Sequence, residues 1–104
     1  MFPDSQIIGD VRRVLSENEG EEGTEVEMEG HNFLIPFDVQ IKVISKALFK
    51  DDYNASFGVY RAQVAIGDVT SQEYGIVTAR YCFATLYYDE NRNLITIDFH
   101  LKIR

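Results

Sequence analysis

From Ile95 to Ile103 the odd positions are all apolar (Ile95, Ile97, Phe99, Leu101, Ile103), while Thr96, Asp98, His100 and Lys102 fill the even ones. That is the period-two signature of a strand with one buried face. The polar run 89–93 ahead of it predicts a turn. With Tyr88 placed opposite Leu94, Tyr87 meets Ile95, Thr85 meets Ile97, Phe83 meets Phe99 and Tyr81 meets Leu101, so a hairpin over 74–103 is the expected spine of the fold. Gly75 permits a bend before that spine begins.

Upstream, Phe33, Ile35, Phe37, Val39, Ile41 and Val43 share one face, with Asp38, Gln40 and Lys42 opposite. Pro36 has no N–H for a ladder and predicts an edge, a bulge or a bend. Parity changes at Ile44 and Leu48, which predicts a bulge or break near Ser45. Residues 50–54 read as a loop, 57–66 as a strand, and Gly67-Asp68 as a tight hairpin turn leading back along 69–74. Both faces of that hairpin are mixed. Val26 and Met28 alternate with Glu25, Glu27 and Glu29, a short strand whose charged outer row suits a sheet edge. Gly30-His31-Asn32 then turns the chain.

Only the first stretch carries the helical period. Ile7, Ile8, Val11, Val14 and Leu15 form one stripe behind a capping Asp4, and the helix is expected to end near 18–20. Gly9 within it marks either a close approach or a weak first turn. One stripe cannot bury itself, so it is expected on the sheet face bearing Ile41, Phe83, Phe99 and Leu101. The fold class is therefore α+β: an N-terminal helix on a curved, mainly antiparallel sheet of five or six strands, in one domain over 1–104. By element order the arrangement resembles the cystatin-like one, in which such a sheet wraps the helix. A small β-sandwich with one helix is the alternative.

Charge changes the picture more than composition does. The net charge is -7. Seven glutamates (Glu17, Glu19, Glu21, Glu22, Glu25, Glu27, Glu29) lie together without a Lys or Arg among them, and the other acids balance the bases. Residues 17–23 read as a mobile acidic linker. An acidic chain without a basic stripe repels phosphate backbones, which argues against direct nucleic-acid binding and allows a basic protein partner. A lone Cys82, no signal-peptide pattern at 1–10 and no long apolar run set the expectation of a cytoplasmic protein outside the membrane. The acceptor triplet Asn54-Ala55-Ser56 has no secretory context to give it meaning.

Candidate chemistry is sparse. In the spine register Cys82 faces His100, with Asp98 on the same face and Arg80 beside Lys102, the one convergence of reactive side chains. Two ligands fall short of a zinc site, and the thiol lacks an activating helix N-terminus. No phosphate-binding glycine loop, HExxH or GxSxG occurs. The expectation is no enzyme, no metal and no cofactor. The seven glutamates are the candidate partner-binding residues, in a domain that binds a basic protein, in its specific form an inhibitor or immunity protein covering the cationic cleft of a nuclease-type toxin. The alternatives are a ligand-binding or enzymatic domain with a pocket between helix and sheet, and a homo-oligomeric subunit.

Overall fold

The computed structural model describes residues 2–48 and 60–103. The expected loop at 50–54, the glycosylation triplet and the start of the strand expected from Phe57 lie outside the described residues. One helix, α1 (Asp4–Glu17), is followed by β1 (Gly23–Met28), β2 (His31–Pro36), β3 (Lys42–Leu48), β4 (Tyr60–Glu73), β5 (Ile76–Tyr88) and β6 (Leu94–Leu101). All six strands belong to one antiparallel sheet, in the order β1-β2-β4-β5-β6 with β3 also on β4, and the sheet curls into a half-barrel around the helix. The chain is therefore the α+β fold expected, not a sandwich. No helix among the described residues is long and apolar enough to cross a membrane.

The helix buries Ile7, Val11 and Leu15 and half-buries Ile8 and Val14, so the stripe read from the sequence is the one that packs. Asp4 is its first residue and not its cap; Pro3 precedes it without a side-chain cap, and the Asp4 carboxylate pairs instead with Lys46 Nζ at 2.8 Å. Gly9 has open space around it, so no close approach requires it. Thr24 Oγ1 donates to the Leu15 carbonyl at 2.7 Å, satisfying one of the acceptors a helix end leaves over. Tyr88 Oη donates to Asp10 Oδ2 at 2.7 Å, and Gln6 Nε2 donates to the Arg92 carbonyl at 2.6 Å. These contacts lash the helix across one end of the half-barrel.

The spine departs from the expected pairing. Tyr88 does face Leu94, and Asp89 organises the turn through its carboxylate, which accepts from the N–H of Asn91 and Asn93 at 2.8 and 2.9 Å. Between Tyr87 and Tyr88, however, the register slips by one, because Ile95 is an extra residue in β6. Phe83 then faces His100, Ala84 faces Phe99 and Leu86 faces Ile97. On the core side β5 buries Cys82, Ala84, Leu86 and Tyr88, while Phe83 leaves the helix-facing side for the opposite face, where Thr85 is buried too. Ile41 and Leu101 are buried and Phe99 packs half-buried against the same core, so only Phe83 of the expected face is misplaced.

Two further bulges explain the mixed patterns. In β4 the register shifts between Ala65 and Gly67, leaving Ile66 over, and the parity of the buried positions on the core side changes from even (Ala62, Val64, Ile66) to odd (Val69, Ser71), Ala65 being buried outside that cluster. Gly67, at φ 116°, thus bends a continuous strand and does not turn it back. The hairpin turn is Tyr74-Gly75, with φ of 52° and 78°, both left-handed as a tight two-residue turn requires. In β3 the shift lies between Val43 and Ser45, at the place the parity change indicated. The long alternation from Phe33 is two strands. The chain leaves the ladder after Pro36 and rejoins it at Lys42, with Phe37 half exposed while Val39 and Ile41 are buried. Arg12 donates from Nη1 to the Phe37 carbonyl at 3.2 Å and from Nη2 to that of Val39, so the helix occupies acceptors that the ladder has released.

Candidate functional site

The glutamates predicted as a partner surface fall into two groups. β1 is an edge strand, as its charged row suggested, and Glu25 and Glu27 project from it on the exposed side while Thr24 and Met28 are buried. Glu17 ends the helix, Glu19 bridges to Thr24, and Glu21 and Glu22 lie exposed in the bend between them. That bend is fixed by Gly20 N donating to the Gly23 carbonyl at 2.7 Å. A Cβ on Gly23 would stand 2.2 Å from the Ile35 carbonyl oxygen, so only glycine lets β1 approach β2 there. Glu19, Glu21, Glu22 and Glu25 line one shallow depression. Among the described residues no ion pair involves Glu17, Glu19, Glu21, Glu22, Glu25 or Glu27.

Glu29 is the exception. It sits in the Glu29-Gly30 turn at φ 53°, and its Oε2 lies 3.5 Å from Arg80 Nη2. Arg80, whose side chain is only 15% exposed, also donates to the Lys102 carbonyl at 3.1 Å. The turn here is Glu29-Gly30, and His31 already begins β2.

The Cys82–His100 convergence is undone by the bulge at Ile95. Cys82 faces Leu101 and is fully buried, with its Sγ 3.8 Å from Met28 Sδ. Burial pushes its thiol up to about 12, against a weaker lowering by a backbone hydrogen bond from His100. A neutral thiol inside a core is a poor nucleophile. His100 points to the other face, its Nε2 3.2 Å from Thr85 Oγ1. Among the described residues no group of three or more His, Cys, Asp or Glu side chains is placed to hold a metal ion.

A constellation the sequence did not announce lies at the open end of the half-barrel, beyond the helix. The pairing of Leu34 with Thr70, carried three residues along, sets His31 opposite Glu73, and His31 Nδ1 lies 2.6 Å from Glu73 Oε1. Ser71, Thr78, Arg80 and Glu29 line the same opening, with Phe33 and Ile76 as its apolar wall. The signal was the register of β2 on β4, hidden by taking 67–68 as the turn. Thus the fold defines an α+β half-barrel filled by a helix at one end and open at the other, with an acidic edge beside the helix terminus. No family model matches the chain, and neither a curated protein nor a solved structure matches it.

Proposed function

We propose that the domain binds a basic protein through the acidic edge formed by Glu17, Glu19, Glu21, Glu22, Glu25 and Glu27. One observation carries this reading: six exposed carboxylates crowd one helix end and one edge strand with no ion-paired cation among the described residues. The crowding is unfavourable to the fold itself. The last helical turn holds no basic residue, and Glu17 stands at the negative end of the helix dipole, where an acid costs about 0.3–1 kcal/mol. A surface kept acidic against its own stability suits long-range attraction of a cationic partner. In its most specific form the reading is an inhibitor or immunity protein whose glutamates take the place of a polyanion in the cationic cleft of a nuclease-type toxin.

The test is capture by the parent and by a variant with Glu19, Glu21, Glu25 and Glu27 changed to Gln. The expected outcome is a basic partner whose association with the parent slows by about tenfold or more from low to physiological salt. The variant should associate slowly at every salt concentration, and the toxin form further requires inhibition of the partner's nuclease activity by the parent. Equal capture by both proteins would remove the acidic edge from the mechanism.

The open end supports a second reading, a small-ligand site. His31–Glu73 and Arg80–Glu29 place hydrogen-bonding groups around a concave opening with an apolar wall, which is the usual construction of such sites. It lies beyond the helix, because the stripe of the helix fills the space beneath it.

A further inference from the structure

The concave face of the sheet runs past the helix into the open end, where the pairing of β2, β4 and β5 sets its side chains in rows. Carried along from Leu34–Thr70, the β2–β4 register puts Phe33 opposite Ser71, and the β4–β5 register puts Ser71 opposite Thr78. His31, Glu73 and Ile76 form the next row toward the tip. Ser71 is thus the centre of the floor. The sheet also closes on itself here: Glu29, in the turn between β1 and β2, reaches Arg80 of β5 at 3.5 Å although β4 separates β2 from β5 in the sheet. The opening so enclosed has a volume of about 380 Å³, at the low end of the roughly 300–1,000 Å³ of small-ligand sites.

Ser71 is the residue that points to a ligand. Among the described residues three serine or threonine side chains are buried, Thr24, Ser71 and Thr85, the last two only 6% exposed. Thr24 donates to the Leu15 carbonyl and Thr85 Oγ1 lies 3.2 Å from His100 Nε2, but the Ser71 hydroxyl has no hydrogen-bond partner among the described residues. A hydroxyl withdrawn from water in this way is destabilising until a partner reaches it. The charges around it select the kind of partner. Arg80 stands against Glu29, and His31 Nδ1 lies 2.6 Å from Glu73 Oε1. An anion entering the opening would meet both carboxylates, and a cation would have to draw one of them from its base. A neutral hydroxyl donates to a carboxylate and accepts from a base, so it disturbs neither pair. Phe33, Ile76 and the 98% exposed Tyr74 at the lip add apolar surface for the C–H faces of a ring.

We propose that the open end binds a free neutral monosaccharide, with one hydroxyl of the sugar on Ser71 and Thr78 and others on the His31–Glu73 and Arg80–Glu29 pairs. This ligand class rests on the reading of the open end as a small-ligand site. The bridge between Glu29 and Arg80 closes the rim on the side of β1, so a longer glycan has no groove to follow across it. Multiple hydroxyls match the mixture of donors and acceptors, and the absence of charge on the sugar leaves both ion pairs in place.

The experiment is a titration followed by amide NMR, with glucose, galactose and mannose as neutral probes, glucuronate and glucosamine as charged ones, and maltose and lactose as longer ones. At least one neutral monosaccharide should shift Phe33, Ser71, Glu73, Thr78 and Arg80 together and saturate in the millimolar range, with the charged and longer probes binding more weakly. Ser71→Ala should weaken that sugar by about three- to tenfold yet melt at or above the temperature of the parent, because the hydroxyl it removes bonds nothing in the protein. A serine with a merely structural role would lower the melting temperature instead. Glu73→Gln, at an exposed position, should weaken the sugar by a few-fold and preserves the test if the serine variant does not fold. Asp98→Asn, exposed on the outer face, should leave the titration unchanged. Tighter binding of glucuronate or glucosamine at the same residues would overturn the neutral sugar and keep the small-ligand site, whereas no saturation by any probe at tens of millimolar would overturn both. Undiminished binding by Ser71→Ala, shifts confined to residues outside the open end, or tighter binding of maltose or lactose than of their component sugars would also overturn the proposal.

Discussion

At the scale of single residues, two buried protons set how the domain responds to alkali. Cys82 ionises near 9.0 in an unfolded chain but only near 12 in the fold, because burial disfavours the thiolate. The phenol of Tyr88 is raised as well, first by burial and then by its hydrogen bond to, and the charge of, Asp10. A raised value means that stability is fully present below the unfolded value and declines as the pH climbs toward the folded one, since the unfolded chain gives up its proton first. Thermal melting should therefore fall progressively above about pH 9, and Cys82→Ala should show a shallower fall. A parent whose melting temperature is unchanged from pH 8 to pH 11 would refute the assignment. Native Cys82 should also resist alkylation at neutral pH and react once denaturant exposes it.

At the scale of elements, three isoleucines mark where the sequence stops being readable by alternation. Ile44, Ile66 and Ile95 each stand at a bulge, in β3, β4 and β6. A branched apolar residue at such a place looks like one more strand position, yet every residue beyond it changes face. Only Ile44 was legible, because the residues after it broke the count. At Ile95 the alternation continued without a fault, so the register read from Tyr88–Leu94 was right at its start and wrong for the rest of the hairpin. The functional readings inherited the error. Cys82 was set beside His100, and Phe83 was assigned to the core. The helix stripe and the acidic edge were legible because neither depends on long-range register. The corrected faces predict that Leu86→Ala, at a fully buried position, costs about 2–5 kcal/mol. Ile95→Asp, on a residue 47% exposed, should cost less than about 1 kcal/mol in the same denaturant titration. Similar losses for both variants would restore the uninterrupted pairing.

At the scale of the whole molecule, the domain is elongated, with extents of 48, 24 and 20 Å, because β4 and β5 run past the helix as an arm. At its tip Tyr74 is 98%, Ile76 67% and Val77 62% exposed. Little apolar burial holds that end, so amides of 70–79 should exchange with solvent at least about tenfold faster than those of 82–88. Equal protection along the two stretches would show the arm to be as firmly held as the helix-covered half. The interruption between Pro36 and Lys42 has a consequence for how such motion spreads. β2 and β3 lie end to end along one edge of β4, separated by an excursion whose carbonyls are held by Arg12 on the helix. No ladder runs unbroken from β2 into β3, so loosening of the arm is expected to stop short of β3 along that edge.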